Sequence, residues 1–340
     1  MDSIFDRAVF LARRLGASDV HFKPGLSPIL RIAGELRTLS DVPPLSREFL
    51  HSLGLSLLND RRREALERTG DAIVALATSN GGRQRAHLFH HRGGLSLAVR
   101  LIPPEVPALD TLGLPAETRE LTEPGAGLVV VAAGPGDGKT TTLAALAEHV
   151  TARRPCRVLT IEDPVEYLIR DRQGVVVQRE VGTDVPSAAA GLRAGSRQDV
   201  DLLLVSDLGD PEVARLAVEA VEAGRLVLGG LMATSLAQLI ERLTGPYAES
   251  QAHVSRPRLA AVLRGAVVQR LVASAAGKRR APAGILLRAG PETRERLATL
   301  GPLGAPDLPG SHPFEPAVEP PKRRRGSDPR AAVEDDAAED

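Results

Sequence analysis

The run Ala133-Gly134-Pro135-Gly136-Asp137-Gly138-Lys139-Thr140 carries the strongest chemical signal in the chain. It follows an apolar stretch at 128–132 and opens a helical pattern through Thr142, Leu143, Leu146 and Val150. A glycine-rich loop that binds phosphate requires that setting of strand before and helix after. Glycines let successive backbone N–H groups curl around phosphate oxygens, and the positive end of the helix dipole strengthens the field there. The expected contacts are Gly134, Gly136, Asp137, Gly138, Lys139, Thr140 and Thr141. Lys139 would reach the β- and γ-phosphates of ATP, and Thr140 would hold Mg2+. Ala133 stands where the motif opens with glycine, a replacement the motif tolerates.

Two acidic segments complete the candidate chemistry. The apolar strand pattern at 202–205 ends in Ser206-Asp207. A carboxylate placed there beside a phosphate loop contacts Mg2+ or positions the attacking water, although an aspartate capping a helix gives the same pattern. The segment Thr160-Ile161-Glu162-Asp163-Pro164-Val165-Glu166 crowds three carboxylates at another strand end. Such a cluster is costly unless a cation or bound water neutralises it, which favours a place near Mg2+ over a surface turn. The catalytic candidates are therefore Lys139, Asp207 and Glu162. The Mg2+ candidates are Thr140, Asp207 and Asp163, some acting through water.

These groups need elements to hold them. From about residue 113 apolar strand runs at 128–133, 158–161, 202–205 and 226–228 alternate with helical stretches, which predicts a parallel sheet covered on both faces. One helix is punctuated by Asp210 as cap, Pro211 in the first turn and Gly224 at the end. Residues 1–102 read as a small α+β domain: a helix at 4–15, strands at 20–22 and 29–32, a helical pattern at 47–66, then strands at 72–77, 83–90 and 95–101. Pro103, Pro104 and Pro107 mark a stiff linker over 103–112, leaving 113–300 as the phosphate-binding domain. Proline-rich, acidic-ended 301–340 reads as disordered.

Composition narrows the function classes. The 43 basic and 43 acidic residues cancel and only 2% are aromatic, so no nucleic-acid partner is expected. Cys156 is the single cysteine, which rules out an intrachain disulfide. The first ten residues lack the pattern of a signal peptide, and the longest strongly apolar run is far short of the ~20 residues a membrane helix needs. A cytoplasmic location is the expectation. His90-His91 has no nearby carboxylate or cysteine at metal-binding spacing, His21 reads as structural, and Cys156 as inert.

Taken together, these residues resemble the type II/type IV secretion ATPase family, most closely its pilus-retraction (twitching motility) branch. The resemblance spans about residues 3–290. It is carried by Ala17-Ser18-Asp19-Val20-His21, Gly25, Pro28, Arg31, Gly34-Glu35-Leu36, Arg83-Gln84-Arg85, Phe89, Arg92-Gly93 and Arg100. The helix opening at Lys139, the family's Asp box at 160–166, Gln178-Arg179-Glu180-Val181 and 214–224 fit as well. The resemblance implies a PAS-like N-terminal domain and a RecA-like α/β ATPase domain with a parallel sheet. It also implies a homohexameric ring with ATP bound between subunits, working at an inner-membrane platform protein of a pilus or secretion machine. On this reading the protein is peripheral to the inner membrane when assembled. Arg83, Arg85 and Arg100 would lie near a neighbour's phosphate, or else on a surface strand.

The chain also departs from the family. Ser206-Asp207-Leu208-Gly209-Asp210 stands where the family has Gly-Glu-x-Arg-Asp, and Met232 replaces a histidine in Gly230-Leu231-Met232-Ala233-Thr234. After Gly290 only Pro291 and Arg294 stand in for a longer helix motif. Two readings follow. One is an ATP-hydrolysing ring motor of a type IV pilus or type II secretion machine. The other is a hydrolysis-impaired paralogue that binds ATP and acts as a regulatory or assembly subunit beside a full-motif ATPase.

Overall fold

The computed structural model describes residues 4–77, 83–123, 125–245, 254–273, 280–299 and 308–315. Short alternating segments in the N-terminal third form strands because every second residue is apolar and can face one core. After helix α1 (Ile4–Arg14) come β1 (Asp19–Phe22), β2 (Ile29–Ile32) and β3 (Glu35–Thr38), then α2 (Arg47–Ser56), α3 (Asp60–Thr69), β4 (Asp71–Ala77), β5 (Arg83–His91) and β6 (Gly94–Leu101). The six strands form one antiparallel sheet in the order β3-β2-β1-β6-β5-β4, because β1 pairs with β6 and joins the two sequence-local groups. Phe5, Val20, Phe22, Leu30, Leu50, Leu88 and Leu97 are buried in its core.

The helical pattern at 47–66 is two helices. Asn59 breaks it: its side chain accepts from the N–H of Arg62 and starts α3 afresh, and Gly70 ends α3 in the left-handed region at φ 82°. On β5, Gln84, Ala86 and Leu88 point into the core, so Arg83 and Arg85 share the opposite face. That alternation matters for the site below.

The second sheet holds β7 (Gly127–Ala133), β8 (Arg157–Glu162), β9 (Val175–Glu180), β10 (Leu202–Val205), β11 (Leu226–Leu231), β12 (Leu263–Ala273), β13 (Arg280–Arg288) and β14 (Ser311–Phe314). Its order is β14-β13-β12-β7-β11-β10-β8-β9. From β12 to β9 neighbouring strands are parallel, and β13 and β14 add an antiparallel edge. This is the RecA-like α/β arrangement expected. The helices are α4 (Lys139–Thr151), α5 (Ala188–Gly195), α6 (Pro211–Glu222), α7 (Leu236–Thr244), α8 (Arg256–Val262) and α9 (Pro291–Thr299). Alternate residues of β7 feed two cores: Leu128, Val130 and Ala132 pack with α5 to α8, while Val129 and Val131 pack with Leu143 and Leu146 of α4. Full burial of β7, β10 and β11 follows from helices on both faces.

Within the 103–112 linker segment a short 3-10 turn at Leu109–Thr111 buries Leu109 against the α4 side of the core. The expectation of disorder over 301–340 is overturned for residues 308–315. There Leu308 is buried, the Thr293 hydroxyl donates to the Pro309 carbonyl (2.6 Å), and β14 pairs with β13. Proline content misled the reading, because an edge strand accommodates Pro313 where a central strand would not. The remainder of that segment lies outside the described residues. No described helix is long and apolar enough to cross a membrane.

Candidate functional site

The strand order decides where the chemistry gathers. β11 lies between β7 and β10, and β8 flanks β10 on the far side. The ends of β7, β10 and β8 therefore bring the glycine loop, Ser206-Asp207 and Glu162-Asp163 to the same carboxyl edge of the parallel sheet. Ligands bind at that edge in open α/β folds.

Gly134 to Gly138 turn the chain from β7 into α4. Gly138 caps the helix at φ 86°, a conformation that strains any residue with a Cβ. Lys139 is half-buried and its Nζ donates to the Ser206 carbonyl at 2.5 Å. Burial pushes its pKa down, while the charges of Asp207 and Glu166 pull it back up. The lysine has room only because residue 230 is glycine. A Cβ there would lie 2.2 Å from the Ser206 oxygen and 2.8 Å from Lys139 Nζ. Thr140 follows in the first turn of α4, half-buried, and the Thr141 hydroxyl lies 3.1 Å from the Tyr167 hydroxyl. On the other side of the loop, Asp137 and Thr142 bond to β12: Gln269 Nε2 donates to the Asp137 carbonyl (2.7 Å) and Thr142 Oγ1 to Gln269 Oε1 (2.9 Å).

Glu162, at the end of β8, is 4% exposed. Its Oε1 accepts from Thr160 Oγ1 (2.6 Å) and Gln178 Nε2 (3.0 Å). Desolvation pushes its pKa up to about 7, helped by the charge of Glu166 and opposed by those hydrogen bonds. The group therefore exchanges its proton near neutrality. Asp163 is exposed, and its N–H donates to Ser206 Oγ (3.3 Å), tying the ends of β8 and β10 together.

The neighbouring carboxylates are met by arginines of the first sheet and its helices. Arg62 of α3 reaches Asp163 (2.8 Å) and also donates to the Val181 carbonyl (2.8 Å). Arg85 reaches Glu166 (3.1 Å), and Arg83 reaches Glu180 (3.1 Å), whose Oε2 also accepts from the Val165 N–H (3.0 Å). Arg100 pairs with Asp19 (3.0 Å), and its guanidinium lies 3.7 Å from where a Cβ on Gly136 would stand. Arg83 and Arg85 thus cross between the two sheets within one chain.

Residues 82–299 match the family described as Type II/IV secretion system protein. The chain is 33% identical over 264 residues to the type IV pilus retractation ATPase PilT of Pseudomonas aeruginosa, covering 78% of this chain and 76% of that one. It is 35% identical over 270 residues to the uncharacterized protein YggR of Escherichia coli, covering 78% and 80%. Its fold superposes on the crystal structure of the pilus retraction motor PilT with bound ADP at a TM-score of 0.77, with 33% identity and 87% and 86% coverage. The chain belongs to the type II/IV secretion family.

Within that family frame, the altered positions have definite surroundings. Asp207 is exposed, and its Oδ1 accepts from the Gly209 N–H at 3.0 Å, so the carboxylate folds back on its own turn. The helix cap is Asp210, which accepts from the N–H groups of Glu212 (2.8 Å) and Val213 (3.3 Å). Leu208 is buried and held close over Gly229. Met232 is half-buried just beyond β11. Among the described residues no three acidic, histidine or cysteine side chains gather closely enough to hold a metal by themselves.

The sequence pointed to the glycine loop and to Glu162, Asp163 and Asp207 at separate strand ends; the strand order brings those ends to one sheet edge. Sequence reasoning assigned no role to Arg62, Glu180, Gly230 or Gln269, although Glu180 and Gly230 lie in segments that carry the family comparison. The Gly229-Gly230 pair inside a strand signals a close backbone approach, and a glutamine inside the apolar run of β12 signals a buried bond. Nothing local marks Arg62, whose partner is 101 positions away.

Proposed function

We propose that this chain binds ATP with Mg2+ in the loop 134–140 and hydrolyses it as a motor subunit of a type IV pilus or type II secretion machine. The arrangement that supports it most is geometric: the Lys139 ammonium donates to the Ser206 carbonyl just after β10, at the sheet edge that also carries the glycine loop and the buried Glu162 carboxyl. On this reading the N–H groups of the glycine loop and Lys139 bind the phosphates. Thr140 would hold the cation directly, with Asp163 and Asp207 reaching it in part through water. That donor set suits Mg2+, which keeps several waters and needs few protein ligands. Bound Mg2+ supplies neutralisation of the β- and γ-phosphate oxygens. Water attacks the γ-phosphorus, the bond to the ADP oxygen breaks, and ionised Glu162 takes the water's proton, as its raised pKa equips it to do. Asp163 must leave Arg62 to serve the metal.

The family resemblance carried by the glycine loop and residues 160–166 implies a homohexamer acting on an inner-membrane platform protein from the cytoplasmic side, with no nucleic acid involved. A second reading has its own support. Asp207 is one methylene shorter than glutamate and engaged by Gly209, and Met232 cannot donate a strong hydrogen bond. A chain so altered would bind ATP, turn it over slowly and regulate or assemble a machine driven by a full-motif paralogue.

Steady-state ATP hydrolysis by the purified chain, with nucleotide binding measured separately, separates the two. Motor-grade turnover that Lys139→Ala abolishes supports the first reading and sinks the second. Tight binding with little turnover, improved by Asp207→Glu, does the reverse.

A further inference from the structure

Gln269 has no assigned role, yet it is the polar side chain most closely built into the floor of the phosphate loop. It sits on β12, is 4% exposed, and lies between the buried apolar residues of that strand and α4. A buried amide is costly unless both its ends are satisfied. Both are: Nε2 donates to the Asp137 carbonyl (2.7 Å), and Oε1 accepts from the Thr142 hydroxyl (2.9 Å). Two positions further, the Leu271 N–H donates to Asp137 Oδ1 (3.0 Å). β12 therefore grips Asp137 by backbone and side chain, and grips the first turn of α4 by Thr142.

The direction of the grip matters. A trans peptide is planar, with its C=O and N–H pointing oppositely. Drawing the Asp137 carbonyl toward β12 turns the Gly138 N–H away from β12. β7 separates β12 from β11, and Lys139 Nζ lies by Gly230 of β11. The Gly138 N–H consequently faces the side on which the lysine ammonium waits. A Cβ on residue 138 would come within 2.9 Å of Gln269 Nε2, so the close approach depends on both residues.

We infer that Gln269 is a positioning residue for the phosphate loop: it sets the Asp137–Gly138 peptide so that the Gly138 N–H is aimed at phosphate before nucleotide arrives. This rests on the reading of residues 134–140 as the nucleotide site, and it adds a residue 132 positions beyond Asp137 that preorganises it.

The test uses the full chain with two variants, Gln269→Leu and the double variant Gln269→Leu/Thr142→Val. The single change leaves the Thr142 hydroxyl and the Asp137 carbonyl without their partner and lowers the thermal midpoint. The double change removes the stranded hydroxyl and recovers much of that midpoint while leaving the loop unheld. Two measurements follow on the double variant. In nucleotide-free protein, amide hydrogen exchange over 134–142 speeds up relative to wild type. By calorimetry, ADP binds about tenfold more weakly, a change of about 1.4 kcal/mol. Unchanged loop exchange overturns the anchoring. Faster exchange with wild-type ADP affinity overturns the positioning role. If wild-type protein itself binds no ADP, the nucleotide reading falls and the positioning role with it, while exchange still reports whether β12 holds the loop.

Discussion

The two flanks of the phosphate loop are held by different physics. Toward β12 the contacts are hydrogen bonds of the Gln269 amide with Thr142 and the Asp137 carbonyl, joined by one from the Leu271 N–H to the Asp137 carboxylate. Toward β8 and β9 they are ion pairs between sheets, Arg62 with Asp163 and Arg85 with Glu166, formed by side chains that are partly open to solvent. Neutral bonds inside a core hold one geometry and feel little salt. Charged pairs at a lobe boundary are worth less, weaken with ionic strength and can exchange partners. One flank is held by bonds closed off from solvent, the other by ion pairs open to competition from salt.

That contrast can be broken in order of expected effect. Lys139→Ala removes the ammonium itself and should drop ATP hydrolysis to background in a phosphate-release assay, with folding checked by circular dichroism. Glu162→Gln should lower kcat by ~100-fold or more, the range for a general base, while nucleotide affinity stays within a few-fold by calorimetry. The same carboxyl predicts a pH signature. Its folded pKa is raised from 4.5 to about 7, so the native state holds a proton that the unfolded state gives up. Stability should therefore fall as pH rises from about 4.5 to 7, by up to about 3 kcal/mol, and Glu162→Gln should flatten that fall in urea titrations. Hydrolysis should move the other way, rising through pH 7 as the base ionises. Arg85→Ala and Glu166→Ala, with the double mutant, sharpen the comparison at the small end. Their coupling should be below about 1 kcal/mol and vanish in high salt, whereas the Gln269 effect persists there.

The sequence made the fold legible where period and punctuation agree. The apolar runs that became β7, β8, β10 and β11 could only be buried strands between helices, and the Asp210-Pro211 start of α6 reads directly. The glycine loop and the carboxylates at the strand ends were legible for the same reason, since each is a short local pattern. What neutralises those carboxylates was not. Arg62, Arg83 and Arg85 meet partners 81 to 101 positions away, and only the alternation of β5 hints that two of them share a face. Within the helical pattern at 47–66 the break was not legible, because it is made by Asn59 capping a second helix with its own side chain. β14 was hidden by composition: a proline-rich stretch still forms a strand when it needs only one neighbour.

That last strand settles where an attachment would sit. β14 and β9 are the two opposite margins of an eight-stranded sheet. With strands about 4.8 Å apart, a fluorophore or fusion joined just after residue 315 starts on the order of 30 Å from the Arg83–Glu180 bridge. A dye there, paired with one on α3, gives a ruler across the two lobes that touches neither the loop nor its arginines.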